Sequence, residues 1–97
     1  MSQLHYQRQT SNVASGTGLQ GYCRATYAQL VAAFGEPEIM SDYDKVTHQW
    51  VLNIEGVIAT IYDYKEDLKT GNAEDWHIGG KQKIAERLVN QALAENI

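Results

Sequence analysis

The stretch from Val46 to Tyr64 constrains this 97-residue chain more than any other segment. An X-Gly pair tolerates the positive φ values of a tight hairpin turn, so the segment reads as a hairpin. Counting outward from that turn pairs Ile54 with Val57, Leu52 with Ala59 and Trp50 with Ile61, which makes one apolar face. The other face carries Val51 with Thr60, Gln49 with Tyr62 and Thr47 with Tyr64. It is half polar and rich in aromatic hydroxyls, as suits a ligand or a second subunit. His48 falls opposite Asp63 at the open end.

The flanking segments complete an α+β pattern. Leu19 to Arg24 alternates as a short strand, weakened by Gly21. Thr26 and Gln29 have the spacing of a capping box, and Tyr27, Leu30, Val31 and Phe34 form one helical stripe that Gly35 and Pro37 terminate. An acidic loop follows from Glu36 to Asp44. Gly71-Asn72 marks another loop, Asp75 to Ile78 a further strand, and Lys81 to Ala94 an amphipathic helix using Ile84, Leu88, Ala92 and Leu93. The order β-α-β-β-β-α predicts a small antiparallel sheet of three to four strands with two helices packed on one face. Residues 1–18 read as a flexible arm or a strand added to a neighbouring subunit, and residues 19–97 as a single domain.

Size and charge narrow the functional classes. A domain this small hides only roughly 60% of its unfolded surface, which predicts a homo-oligomer. Twelve acidic residues against eight basic ones give a formal charge of −4, which argues against broad duplex nucleic-acid or anionic-membrane binding. The lone Cys23 leaves no internal disulfide and no Cys-based zinc site, so a reducing intracellular setting is expected. No segment reaches the roughly 18 apolar residues of a membrane span, and the start lacks signal-peptide order.

Chemistry concentrates at Trp76-His77-Ile78-Gly79-Gly80-Lys81. Glycines at a strand-to-helix junction admit a close ligand, and the helix N-terminus offers N–H groups and partial positive charge. Lys81 and Lys83 add full charges, Arg87 a forked guanidinium, and Trp76 a stacking surface for a base. Tyr62 and Tyr64 are further ligand candidates on the hairpin face. The competing structural reading makes Gly79-Gly80 a tight turn, Trp76 core and the lysines solvated. Full phosphate-loop spacing is missing. His48 with Asp63 is a possible acid/base dyad, although cross-strand His-Asp pairs more often stabilise a sheet. His5, His48 and His77 lack metal-ligand spacing, and no cofactor is expected. The acidic runs Glu36 to Asp44 and Asp63 to Asp75 suit a solvated loop or a contact with a basic partner.

Gly35-Glu36-Pro37, Asp44-Lys45-Val46 leading to Trp50, Ala59-Thr60-Ile61-Tyr62-Asp63-Tyr64-Lys65 and Trp76-His77-Ile78-Gly79-Gly80 resemble a widespread family of small bacteriophage proteins. The resemblance runs from about Leu19 to the end, and Glu66-Asp67-Leu68-Lys69 replaces a longer glycine- and asparagine-bearing loop. Such phage proteins include counter-defence factors, among them anti-CBASS sponges that sequester cyclic-nucleotide immune signals. The resemblance implies a non-catalytic protein of the host cytoplasm that binds a cyclic nucleotide through Trp76, His77, Gly79, Gly80, Lys81, Arg87, Tyr62 and Tyr64. An acidic inhibitor of a host defence or nucleic-acid enzyme is the alternative, working through Asp42, Asp44, Glu66 and Asp67. A small phosphodiesterase using His48, Asp63 or His77 is the third.

Overall fold

A computed structural model describes residues 4–10, 16–39, 48–63 and 74–95. The elements are β1 (Tyr6–Arg8), β2 (Gly18–Ala25), α1 (Tyr27–Phe34), β3 (Glu38–Ile39), β4 (His48–Ile54), β5 (Val57–Tyr62), β6 (Glu74–Gly80) and α2 (Ile84–Glu95). The fold is α+β, but among the described residues its antiparallel sheet has six strands in the order β1-β4-β5-β6-β2, with β3 also on β4. The expectation of three to four strands is therefore too small. The additional strands are β1, from residues expected in the arm, and β3, from the acidic loop. Both are very short and pair with β4 on the side away from β5.

The central hairpin has the register that counting from its turn predicts, with Trp50 opposite Ile61, Leu52 opposite Ala59 and Ile54 opposite Val57. Glu55 (φ 52°) and Gly56 (φ 87°) both take positive φ, the requirement of a tight primed turn, and Asn53 Oδ1 accepts the Gly56 N–H at 2.9 Å. Trp50, Leu52, Ile54, Ala59, Ile61, Trp76, Ile78, Cys23 and Ala25 point to one side of the sheet. There they form one core with Leu30, Ala33 and Phe34 of α1 and Ala85, Leu88, Val89, Ala92 and Leu93 of α2.

Two tryptophans fix α1 to that face. The Trp76 indole N–H donates to Ala25 O (3.0 Å) just before the helix, and that of Trp50 donates to Gly35 O (2.7 Å) just after it. The rings meet edge-on at 5.3 Å, a favoured aromatic geometry. The expected capping box is present, with Gln29 N donating to Thr26 Oγ1 and Thr26 N to Gln29 Oε1. At the other end, carbonyls without helical partners accept from β1: Ala33 O from the Tyr6 hydroxyl, and Phe34 O and Glu36 O from Arg8. Arg8 also places positive charge at the negative end of the helix dipole.

The second helix starts at Ile84, later than expected, because β6 continues through Gly79 and Gly80. Lys81, Gln82 and Lys83 form the turn between them. On α2 a polar stripe reaches over the outer edge of β2: Lys83 Nζ donates to Gln20 O, Glu86 Oε2 accepts from Tyr22 N, and Asn90 Nδ2 donates to Tyr22 O. These side chains occupy backbone groups to which another strand would otherwise bind. Gly21 makes the approach possible, since a Cβ there would lie 2.0 Å from Glu86 Oε2. Among the described residues, no helix is long and apolar enough to cross a membrane.

Candidate functional site

The sheet face opposite the helices carries a transverse row of rings. Tyr62, His77 and Tyr22 are successive cross-strand partners on β5, β6 and β2. Tyr62 and His77 stack with centroids 5.3 Å apart and an interplanar angle of 27°, while Tyr22 meets His77 edge-on at 5.0 Å. Tyr22 is the most open of the three, at 48% exposure. The row continues the other way through Gln49 on β4 to Glu38 on β3, so one line of side chains spans five strands. At a strand spacing of about 4.8 Å, it is roughly 19 Å long. Glu38 Oε1 is buried and has no hydrogen-bond partner among the described residues. Arg24 and Asp75, paired at 3.3 Å, lie on the same face next to the Tyr22 end, both 65% exposed.

Local sequence explains the row. Strand alternation puts Tyr62 and His77 on the side away from Ile61, Trp76 and Ile78. The β2 register shifts between Leu19 and Gly21, with Gln20 as the extra residue, and Tyr22 consequently lands opposite His77. Gly79 leaves space in the neighbouring position: a Cβ there would lie 2.5 Å from Thr60 Oγ1 and 3.4 Å from Tyr62 Cε1.

The predicted site is divided by this arrangement. His77, Tyr62 and Gly79 are together, whereas Trp76 is fully buried on the opposite side of the sheet and presents no stacking face there. Gly79 and Gly80 are paired strand residues between β5 and β2, not an open junction. Crowding explains Gly80 as well, because its Cβ would come 2.8 Å from Ala85 Cβ. The first turn of α2 already holds an anion, the Glu86 carboxylate, so its dipole is met from within the chain. Lys83 is engaged by Gln20 O and lies 3.7 Å from Glu86, Lys81 is exposed at the end of β6, and Arg87 is exposed on the helical layer. Tyr64 lies outside the described residues, as do Thr47, Asp42, Asp44, Glu66, Asp67 and Gly71-Asn72. Tyr22 was not among the predicted site residues. Its alternation with Cys23 and Ala25 carried the signal, but the bulge at Gln20 hid which partner it meets.

His48 and Asp63 do face each other. His48 Nδ1 and Asp63 Oδ2 are 3.0 Å apart, Asp63 Oδ1 accepts from His48 N at 2.8 Å, and Asp63 N donates to His48 O at 3.3 Å. Asp63 is 1% exposed. Three contacts between the same two residues make a clasp at the open end of the hairpin, with the Tyr27 ring edge-on to the imidazole at 5.6 Å. Among the described residues, no three His, Cys, Asp or Glu side chains converge as a metal site. Burial, with a smaller contribution from the Asp75 charge, pushes the Cys23 thiol up to about 12, leaving it protonated and poorly nucleophilic.

Comparison of the chain with family models, curated protein sequences and solved structures finds no match in any of the three.

Proposed function

We propose that this chain is a non-catalytic nucleotide binder, an anti-CBASS type of phage counter-defence sponge that retains a cyclic-nucleotide signal in the host cytoplasm as a homo-oligomer. The observation that supports this reading best is the Tyr62–His77–Tyr22 row. Aromatic rings displayed across neighbouring strands are a general solution for stacking bases, since every base has a π face. Arg24, next to the Tyr22 end of the row, and Lys81, exposed just beyond β6, are read in place of Arg87 as the preferred phosphate partners. Sequestration requires no bond to break, and the clasped His48–Asp63 pair is accounted for by its structural contacts.

Native mass spectrometry with linear and cyclic nucleotides tests the reading. The expected outcome is an intact cyclic nucleotide retained by the wild type. Tyr22→Ala and Tyr62→Ala should each weaken binding about fivefold or more, because stacking on one ring contributes about 1–3 kcal/mol per base. Arg87→Ala should bind as the wild type does. A bare protein across the panel sinks the proposal, and recovery of a cleaved nucleotide replaces it with the phosphodiesterase reading.

A further inference from the structure

Glu38 is the member of the cross-strand row that the stacking function leaves unexplained. Its partner across β4 is Gln49, whose own partner on β5 is Tyr62, so the carboxylate and the first ring stand on the same face two strands apart. Two inter-strand spacings are about 10 Å. Glu38 Oε1 is shielded from solvent and accepts no hydrogen bond from the described residues. Removing a carboxylate oxygen from water is unfavourable unless a donor meets it. A ligand lying along the row from Tyr62 towards β3 would bring such a donor.

We propose that Glu38 reads the donor edge of a guanine base, making the ligand of this face a guanine nucleotide. The inference rests on the nucleotide-binding reading above and gives it a base specificity. An ionised carboxylate only accepts, and its two oxygens match two parallel donors. Guanine carries that pair on its Watson–Crick edge, the ring N1–H beside the 2-amino group. Adenine and cytosine present an amino group next to a ring acceptor, which would repel Glu38. Uracil presents one N–H between two carbonyls. The row also has a direction: the carboxylate stands at the β3 end, and Arg24 lies next to the Tyr22 end. A base directed at Glu38 therefore leaves its phosphate pointing towards the cation. With a length of roughly 19 Å, the row has space for a second base or an extended phosphate linkage.

Calorimetric titration with cyclic dinucleotides containing guanine, hypoxanthine or adenine tests this directly. Hypoxanthine lacks only the 2-amino group. The wild type should bind the guanine ligand about fivefold or more tighter than the hypoxanthine ligand, fivefold being the low end of what a bidentate contact discriminates. Glu38→Gln, nearly the same in size, should lose most of that preference while its thermal unfolding remains that of the wild type. Equal wild-type affinity for guanine and hypoxanthine overturns the assignment of Glu38 and leaves nucleotide binding standing. Binding of agmatine with no binding of the guanine ligand overturns it in favour of a guanidinium-bearing partner. A folded wild type that binds none of the three nucleotides overturns both the function and this inference.

Discussion

A single methyl group distinguishes the glycines that this fold needs from one that it tolerates. At Gly80 an added Cβ would sit 2.8 Å from Ala85 Cβ and 3.2 Å from Ile58 O, one contact with a helix and the other with backbone. Neither neighbour can rotate away, so Gly80→Ala should cost about 1–3 kcal/mol, the usual range for overpacking. Gly18 has nothing within 4 Å, and Gly18→Ala should leave stability within about 0.5 kcal/mol. Urea unfolding of both variants makes the comparison, and equal midpoints would contradict the crowding account. Cys23 gives a second residue-level test. Its folded thiol keeps a proton up to about 12, against an ordinary 9.0. The folded state therefore binds more protons within that window, and stability should fall as pH rises through it. The fall measured between about pH 8 and pH 10 should be smaller in Cys23→Ala, which removes the titrating group.

At the scale of elements, α2 acts as both a core helix and a cover for a sheet edge. Leu88, Val89, Ala92 and Leu93 serve the core, while Lys83, Glu86 and Asn90 serve β2. Replacing Glu86 and Asn90 together by alanine should expose Tyr22 N and O and produce concentration-dependent association. Sedimentation velocity would detect it, and a wild-type profile at all concentrations would show that the edge is protected by other means. The elements differ in how visible they are in sequence. The β4–β5 register, the Thr26–Gln29 box and the His48–Asp63 pair follow from spacing because their partners are near in the chain. Strands β1 and β3 are three and two residues long, too short for periodicity, and are formed by pairing with distant β4. Gly79-Gly80 carried an ambiguous signal, since glycine suits both an open loop and a crowded strand. Thr60 and Ala85 decide between them, and neither adjoins the pair in sequence. For the same reason Trp76 read equally well as a stacking surface or as core, whereas its neighbour His77 kept the outward position.

Across the whole molecule, the two sheet faces differ in composition. One is filled by helices, two tryptophans and the aliphatic core. The other presents the Glu38–Gln49–Tyr62–His77–Tyr22 row, so changes to the row leave the principal hydrophobic contacts in place.

The bonds that complete the molecule also impose an order on its formation. The β4 and β5 strands meet across a two-residue turn, but the Trp76 indole reaches Ala25 across 51 positions, and Glu95 reaches Leu4 N across 91. Each of the latter contacts requires a long loop to close before it contributes anything. On loop-closure grounds the hairpin is expected to form first, with β6, β2 and β1 joining later. A mixed helix-and-sheet domain with such distant pairings is expected to take longer to fold than a helical bundle. Its nascent sheet would spend that interval with open edges.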